Sequence, residues 1–213
     1  MARLDRSKAV VAVLTLVLAT AVALGTMALL ATKPADAASR FKVVTRTFSN
    51  PNAILFPTPN NTAAPYPSRV KVANLRQGKI LDVNVKIRGY IHTFPDDVDV
   101  LLKAPNGRNA IVMSDAGGSG DVNGVGLTID DEAPIFFPDS GQIVSTAYMP
   151  SNYNIILDPF PTQTPSGNRL LSRFDGTNPN GFWKLFVVDD FPSVDGGQFA
   201  GGWSLQIKAR VLR

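Results

Sequence analysis

The chain has 213 residues, of which 45% are hydrophobic and 18% are charged. This composition suits a domain with a packed core rather than a disordered polymer. The sequence contains no cysteine, which excludes a disulfide framework, a thiol nucleophile and cysteine-ligated metal sites. Its single histidine excludes sites that need two imidazoles.

The net charge of +4 comes partly from the N-terminus. Residues 1–37 contain four of the basic residues and two of the acidic ones, and without them 17 basic and 15 acidic residues remain. Proteins that bind nucleic acids do so through dense clusters of Lys and Arg that neutralise phosphates. So small an excess of positive charge does not support a nucleic-acid partner, and we expect none.

Residues 1–37 have the pattern of an export signal. The segment opens with the bases Arg3, Arg6 and Lys8. An apolar run follows over residues 9–31, and residues 35–37 (ADA) form a small-x-small cleavage site. We therefore predict a signal peptide at residues 1–37, a mature domain at residues 38–213, and a secreted or extracytoplasmic location.

The length of the apolar run leaves an alternative open. As a helix with a rise of ~1.5 Å per residue, residues 9–31 are long enough to span a ~30 Å hydrocarbon core. In that case they remain as an uncleaved anchor, and they are the only contact of the chain with the membrane. Both interpretations place the remainder of the chain outside the cytoplasm.

From residue 38 onward, the dominant pattern is the alternation of β-strands. Residues 80–88 place four aliphatic side chains, of which Leu81 is the first, on one face and polar side chains on the other. Residues 203–208 alternate in the same way. Shorter apolar runs predict four further strands, at residues 98–102, 111–113, 125–129 and 183–188.

Turns rich in Gly, Pro, Asn and Asp separate these segments. Two longer proline-rich segments, residues 49–67 and 158–168, are predicted to be loops. Many short strands joined by such turns favour an antiparallel β-sandwich or barrel. Trp183 and Trp203 fall within apolar strand patterns, so we predict that both lie in the core rather than on a sugar-binding surface.

Several motifs, in order along residues 47–208, resemble the P/Homo B domain, which follows the catalytic domain in subtilisin-like proprotein convertases. The motifs are residues 81–85 (LDVNV), 92–102 (HTFPDDVDVLL), 104–107 (APNG), 127–133 (LTIDDEA), 171–176 (LSRFDG), 178–185 (NPNGFWKL) and 202–205 (GWSL). The resemblance implies an all-β fold, an antiparallel β-sandwich of the jelly-roll, galactose-binding-like type.

The resemblance implies no catalytic activity in this chain itself. In convertases the serine-protease triad lies in the preceding subtilisin-like domain, and this sequence lacks the signature segments of that domain and a GxSxG elbow. His92 falls where the family's module has a non-catalytic histidine. We therefore expect an exported, non-catalytic module that binds or stabilises a protein, with a separately encoded serine protease as one candidate partner. The alternative is an extracellular carbohydrate-binding module, because jelly-roll sandwiches often present a face to sugars.

Three groups of acidic residues are candidates for a metal site. Asp97 and Asp99 lie two residues apart on a predicted strand, so we expect both on one face. A second group flanks a turn near the C-terminus, and a third follows another predicted strand at residues 130–132 (DDE). Carboxylates that crowd together repel one another unless a cation neutralises them.

Calcium is the cation that suits such groups, because it binds about six to eight oxygen ligands. It is also a feature of some bacterial members of the resembled family. We predict a structural Ca²⁺ ion with the candidate ligands Asp97, Asp99, Asp189, Asp190 and Asp195. The simpler interpretation remains open: acids beside Gly and Pro often only form solvated turns.

Overall fold

The structure, a computed structural model, describes residues 40–153, 158–193 and 195–213. This part of the chain contains twelve strands, two 3₁₀ turns and no α-helix. The strands are β1 (Phe41–Asn50), β2 (Ile54–Phe56), β3 (Ser68–Val72), β4 (Lys79–His92), β5 (Val98–Lys103), β6 (Asn109–Ser114), β7 (Val122–Ile129), β8 (Ala147–Tyr148), β9 (Ser151–Asn152), β10 (Gly181–Asp189), β11 (Gly197–Phe199) and β12 (Trp203–Leu212). The two turns are Pro95–Asp97 and Leu171–Phe174.

The strands form two sheets, neither of which closes into a barrel. In the seven-stranded sheet, β4 pairs with β12, β11 and β7, while β1, β2 and β8 extend it through those partners. The five-stranded sheet has the order β3-β10-β5-β6-β9. Apart from two short parallel pairs, β6 with β9 and β7 with β8, the strands pair antiparallel. The predicted all-β class is therefore confirmed.

The two sheets share one hydrophobic core, and both supply large side chains to it. Trp183 of β10 and Trp203 of β12 are fully buried, as predicted. The indole N–H of Trp203 donates a hydrogen bond to the hydroxyl of Ser68 in the other sheet, at 2.9 Å. That of Trp183 donates to the carbonyl of Pro179 at 2.8 Å. Both polar atoms of these buried rings are thus satisfied, which a packed core requires.

The alternation predicted for residues 80–88 holds with one exception, at Leu81. Leu81 is 44% exposed, and Ile80 takes the inner face instead. Lys208 of β12 pairs with Asp82, and the next residue of β12 pairs with Ile80, so Leu81 is the extra residue of a β-bulge. Because a bulge adds one residue to the strand, the residues before it point to the opposite face from the one that regular alternation predicts. The prediction that Leu81 faces the core with its neighbours is therefore wrong.

Residues 49–67 are not wholly a loop, because they contain β2. Ile54 and Phe56 are buried and Leu55 is exposed, as β2 pairs with β11. Three strand residues among prolines and asparagines are too few to show an alternating pattern. The other predicted loop, residues 158–168, contains no strand.

A second, smaller apolar cluster covers the middle of the outer face of the five-stranded sheet. Leu101, Ile111 and Phe186 point outward there, and Phe160 from the proline-rich segment packs on them. Tyr66 borders the cluster, and its hydroxyl donates a hydrogen bond to a backbone carbonyl of that segment at 2.8 Å. The segment therefore covers the middle of this outer face, between the two ends of β5 and β10.

Among the described residues, no helix has the length and apolar character needed to cross a membrane. The predicted signal peptide or anchor at residues 1–37, with its helix at residues 9–31, lies outside the described residues. The export signal and the domain boundary at residue 38 therefore stay predictions.

Candidate metal centre

Strand pairing brings acidic residues from three strands to one edge of the five-stranded sheet. Because β5 runs antiparallel to both β6 and β10, the start of β5 lies beside the ends of both. Asp99 lies at that start, Asp115 follows β6, and Asp189 ends β10. We call this region the acid edge, and its carboxylates are those of Asp97, Asp99, Asp115, Asp158, Asp189, Asp190 and Asp195.

Three carboxylates of the acid edge meet around the hydroxyl of Ser114. The Ser114 Oγ lies 2.7 Å from Asp99 Oδ1, 2.9 Å from Asp115 Oδ2 and 3.0 Å from Asp158 Oδ1. One oxygen of each carboxylate lies within 4.8 Å of the other two. A hydroxyl carries a single proton and can donate it to only one of the three. The other two oxygens therefore approach Ser114 without receiving its proton.

Burial makes this group an unfavourable place for negative charge. Asp99 is 2% exposed, and burial raises its pKa to about 8, although the hydrogen bond from Ser114 opposes the rise. The charges of Asp158 and Asp115 raise that pKa further. Within the described ranges, no Lys or Arg forms an ion pair with these carboxylates within 4.0 Å. Among the described residues, the group therefore has no ion-paired cation beside it.

A cation of the size of Ca²⁺ fits the group. Ca²⁺ binds oxygens at about 2.3–2.6 Å, so the oxygens around one ion lie within about 5 Å of each other. The oxygens of Asp99, Asp115 and Asp158 meet that limit. Asn152 stands beside them: its Nδ2 donates to Asp158 Oδ2 at 2.7 Å, while its buried Oδ1 has no hydrogen-bond partner. A set of hard oxygen ligands is what Ca²⁺ prefers.

Asp189, one of the predicted ligands, makes a buried contact with His92. The Nε2 of His92 lies 3.2 Å from Asp189 Oδ2, and Asp189 Oδ1 accepts the backbone N–H of Phe191 at 3.2 Å. The Nδ1 of His92 lies 2.9 Å from the carbonyl oxygen and 3.1 Å from the nitrogen of Phe94. Burial lowers the pKa of His92, but the hydrogen bond and charge of Asp189 outweigh it, so the pKa is raised.

Asp97 lies outside the strand on which it was predicted. It ends the 3₁₀ turn Pro95–Asp97, and β5 begins one residue later. The prediction that Asp97 and Asp99 share one face of a strand is therefore wrong, because the proline starts a turn that includes Asp97. Burial, followed by the charges of Asp190 and Asp189, raises the pKa of Asp97 to about 7.

Asp190 and Asp195 complete the acid edge on its more exposed side. The backbone N–H of Asp190 donates to the carbonyl of Asp97 at 2.9 Å. Asp195 accepts a hydrogen bond from the hydroxyl of Thr93. Of the five predicted ligands, only Asp99 belongs to the group around Ser114. A metal-binding role for the other four stays a prediction.

A second group of carboxylates lies beside the start of β4. Oxygens of Asp82, Asp130 and Glu132 lie within 4.8 Å of one another. Asp131 does not join them: its carboxylate accepts the backbone N–H groups of the first two residues of the turn Leu171–Phe174, at 2.9 and 2.7 Å. No member of this group is fully buried. The group around Ser114 is therefore the stronger candidate.

Sequence inspection missed two of the three carboxylates around Ser114. Asp115 opens a glycine-rich turn with a φ of 49°, a conformation that Asp tolerates better than most residues, so its pattern is that of a turn former. Asp158 lies in the segment predicted to be a loop, more than 50 residues from Asp99 in the sequence. One available signal was the position of Asp115 directly after a strand that neighbours β5.

The sequence matches no protein-family model and has no significant match among curated proteins. Two solved structures show a weak similarity. The crystal structure of a serine protease of Aeromonas sobria matches at 12% identity with a TM-score of 0.38, over 79% of this chain and 27% of that chain. The complex of the Aeromonas sobria serine protease with a chaperone matches at 11% identity with a TM-score of 0.38, over 81% of this chain and 27% of that chain. A similarity this weak leaves the P/Homo B resemblance a prediction.

Proposed function

We propose that this chain is an exported, non-catalytic module of the P/Homo B type, stabilised by Ca²⁺ bound to Asp99, Asp115 and Asp158. The ordered motifs of the sequence and the two antiparallel sheets around one core support the module type. Under this proposal the sheets form a jelly-roll sandwich of the galactose-binding-like type. The module is secreted, or it is held at the membrane by residues 9–31.

The observation that carries the calcium proposal is the meeting of three carboxylates around one hydroxyl. Burial raises the pKa of Asp99 to about 8, and no Lys or Arg among the described residues pairs with its carboxylate. A Ca²⁺ ion would replace the carboxyl proton and stabilise the ionised carboxylates. Because Asp158 comes from a distant segment, the ion would also tie residues 158–168 to β5 and β6.

The surroundings of His92 support a non-catalytic role. A serine-protease triad needs a hydroxyl nucleophile at one ring nitrogen of the histidine and a carboxylate at the other. In this chain Asp189 takes one nitrogen and the backbone of Phe94 takes the other. A backbone group thus stands where a nucleophile is needed, and we propose that the pair stabilises the fold.

The proposed partner of the module is another protein, and the resemblance suggests an exported serine protease. Exposed apolar side chains support a protein contact: Phe136 is 48% exposed and Phe191 is 57% exposed. The guanidinium of Arg169 lies 5.7 Å from the ring of Phe136. Aromatic and Arg side chains exposed together are enriched in protein interfaces.

Thermal unfolding in excess Ca²⁺ and in EDTA tests the calcium proposal. A ligand present at about 100 times its Kd stabilises the native state by about 2.7 kcal/mol, so we expect Ca²⁺ to raise the Tm by several degrees. Mg²⁺ at the same concentration is the control, and it should raise the Tm less because it demands a smaller octahedral shell. Equal Tm values in Ca²⁺ and EDTA would contradict the proposal.

A further inference from the structure

A row of three basic residues crosses the outer face of the five-stranded sheet, at the opposite end from the acid edge. Lys184 of β10 pairs directly with Arg69 of β3 on one side and with Lys103 of β5 on the other. Their neighbours along each strand, such as Val70 and Leu102, are buried in the shared core. Because side chains alternate along a strand, the three basic side chains point outward.

This row has no anionic partner within the parts of the chain that the structure describes. No carboxylate there lies within 4.0 Å of any of the three cationic groups. Lys103 Nζ donates a hydrogen bond to the neutral Oε1 of Gln163 at 2.8 Å. Like charges directly opposite one another destabilise a sheet. Among the described residues, no carboxylate offsets the repulsion between these three cations.

A cavity of about 340 Å³ opens over the row. The basic pocket, as we call it, is lined by Arg69, Lys103, Lys184, Phe182, Pro105 and Gly107. Phe182 is 51% exposed, and it shares the outer face of β10 with Lys184 because the two are two residues apart. The Nζ of Lys71 lies 5.9 Å from the centroid of the Phe182 ring, so the pocket combines positive charge with the ring face that Lys71 leaves open.

The opposite wall of the basic pocket is the turn between β5 and β6, which packs tightly on the start of β10. A Cβ on Gly181 would lie 2.7 Å from the Cβ of Pro105, so a glycine there permits the close approach. Gly107 has open space where its side chain would be. The contact with Gly181 fixes this turn, and Gly107 adds no side chain to it.

We propose that the basic pocket binds an acidic sugar. The carboxylate of the sugar lies between the cationic groups, which bind it through charge-assisted hydrogen bonds. The apolar face of the sugar ring lies on Phe182. No exposed carboxylate of the protein competes for these groups within the described residues.

The dimensions of the basic pocket suit a small acidic sugar. Small-molecule pockets occupy about 300–1,000 Å³, so this cavity is near the lower end of the range and suits one or two sugar units. The three cations span two strand spacings, about 10 Å, which is close to the length of one or two sugar units. The basic pocket and the acid edge share no residue, so this proposal and the calcium proposal can fail separately.

Calorimetric titration with trigalacturonate tests the proposal, with uncharged galactotriose and a triglutamate peptide as comparisons. We expect trigalacturonate to bind at least tenfold more tightly than either comparison at 50 mM NaCl. Its affinity should fall at 500 mM NaCl, because salt screens exposed charges. Absence of binding at millimolar trigalacturonate overturns the proposal. Equal affinity for triglutamate overturns the assignment to a sugar.

Two variants test the cationic part and the aromatic part of the basic pocket separately. Lys184→Gln should weaken trigalacturonate binding at least tenfold, and Phe182→Ala should weaken it by a similar factor while leaving sulfate binding unchanged. Lys42→Gln, an exposed lysine on β1 in the other sheet, is the matched control and should bind as the unaltered protein does. Trigalacturonate affinity that is insensitive to Lys184→Gln or to Phe182→Ala overturns the proposal.

The melting temperature of Lys184→Gln gives an independent readout. If the three cations bind a ligand rather than support the fold, removal of the central charge relieves its repulsion with Arg69 and Lys103. The Tm then stays equal or rises. A Tm that falls by several degrees would show that Lys184 supports the fold, and it overturns the proposal.

Discussion

Asp99 holds its carboxylate where water cannot solvate the negative charge, and two further carboxylates face it. Asn has almost the same shape as Asp but carries no charge. In EDTA, Asp99→Asn should therefore keep or raise the Tm, because a neutral Asn avoids the cost of keeping this buried carboxyl protonated, or of ionising it beside Asp115 and Asp158. In excess Ca²⁺ the same change removes a ligand, so at least half of the calcium-dependent rise in Tm should be lost. Thermal unfolding of both proteins in both media measures the difference.

Asp121→Asn is the matched control for that prediction, because Asp121 is exposed and belongs to neither carboxylate group. It should leave the effect of calcium unchanged. If Asp99→Asn and Asp121→Asn respond to calcium alike, Asp99 is not a ligand.

Asp189→Asn should give a different result at the same edge of the sheet. The change disrupts the contact with His92, and an unsatisfied buried polar group costs about 1–3 kcal/mol. We expect the Tm to fall by similar amounts in Ca²⁺ and in EDTA. A loss confined to Ca²⁺ would instead identify Asp189 as a metal ligand, as its position in the sequence predicts.

Asp97 and Asp99 set the pH dependence of the metal-free protein. Their pKa values of about 7 and about 8 lie above the usual ~3.9 of Asp in an unfolded chain. Between pH ~3.9 and the raised pKa values, the native state binds more protons than the unfolded state, so stability falls as the pH rises. The raised pKa of His92 acts in the same direction, since its contribution is full below the ordinary pKa of ~6.5 and is lost as the pH rises through the raised pKa.

Urea unfolding in EDTA from pH 5 to pH 9 measures this effect. We expect the free energy of unfolding to decrease steadily, and excess Ca²⁺ to oppose the decrease because the ion binds ionised carboxylates. A protein that becomes more stable between pH 5 and pH 9 in EDTA would contradict the raised pKa values of these two acids.

At the scale of elements, β11 depends on a glycine. A methyl group at Gly197 would overlap the carbonyl oxygen of Ile91 in β4, which is backbone and cannot rotate away. Gly197→Ala should therefore reduce the free energy of unfolding by about 1–3 kcal/mol, the usual effect of overpacking. Gly126→Ala in β7 is the control, because nothing lies within 4 Å of the added methyl there. Urea unfolding should show a loss for the first variant only.

The strands that could be predicted from the sequence are those that alternate between core and solvent and those that form a short apolar run, as β5, β6, β7 and β10 do. β4 and β12 alternate between the core and solvent, and the sequence shows it. Neither face of β1 is fully buried, and its Val43 is 56% exposed, so β1 has no alternation to detect. The bulge at Leu81 was also beyond prediction, because it depends on the register with β12 rather than on β4 alone.

At the scale of the whole molecule, the candidate site could be predicted only in part. Asp99 was identified because it lies in a cluster of acids along the sequence. Asp115 and Asp158 join it from two other segments, and only the folded chain brings the three together. The basic pocket could not be predicted from the sequence for the same reason, because its three cations lie on three different strands.

A nearly balanced net charge thus conceals a strong separation of charge along one sheet. The acid edge lies at one end of β5 and β10, and the row of Arg69, Lys103 and Lys184 lies at the other. Lys184 and Asp189 are five positions apart on β10, about 17 Å in an antiparallel strand. Composition reports only the sum of the charges, whereas strand register determines where each of them lies.

The proline-rich segment joins two regions that are otherwise separate. Asp158 belongs to the carboxylate group, and Phe160, two residues later, is the cover of the outer apolar cluster. If Ca²⁺ holds Asp158, loss of the ion also loosens Phe160 and uncovers Leu101 and Phe186. If the chain is exported as proposed, extracellular proteases would cleave the loosened backbone first. The calcium concentration around the protein would then set how long the chain survives intact.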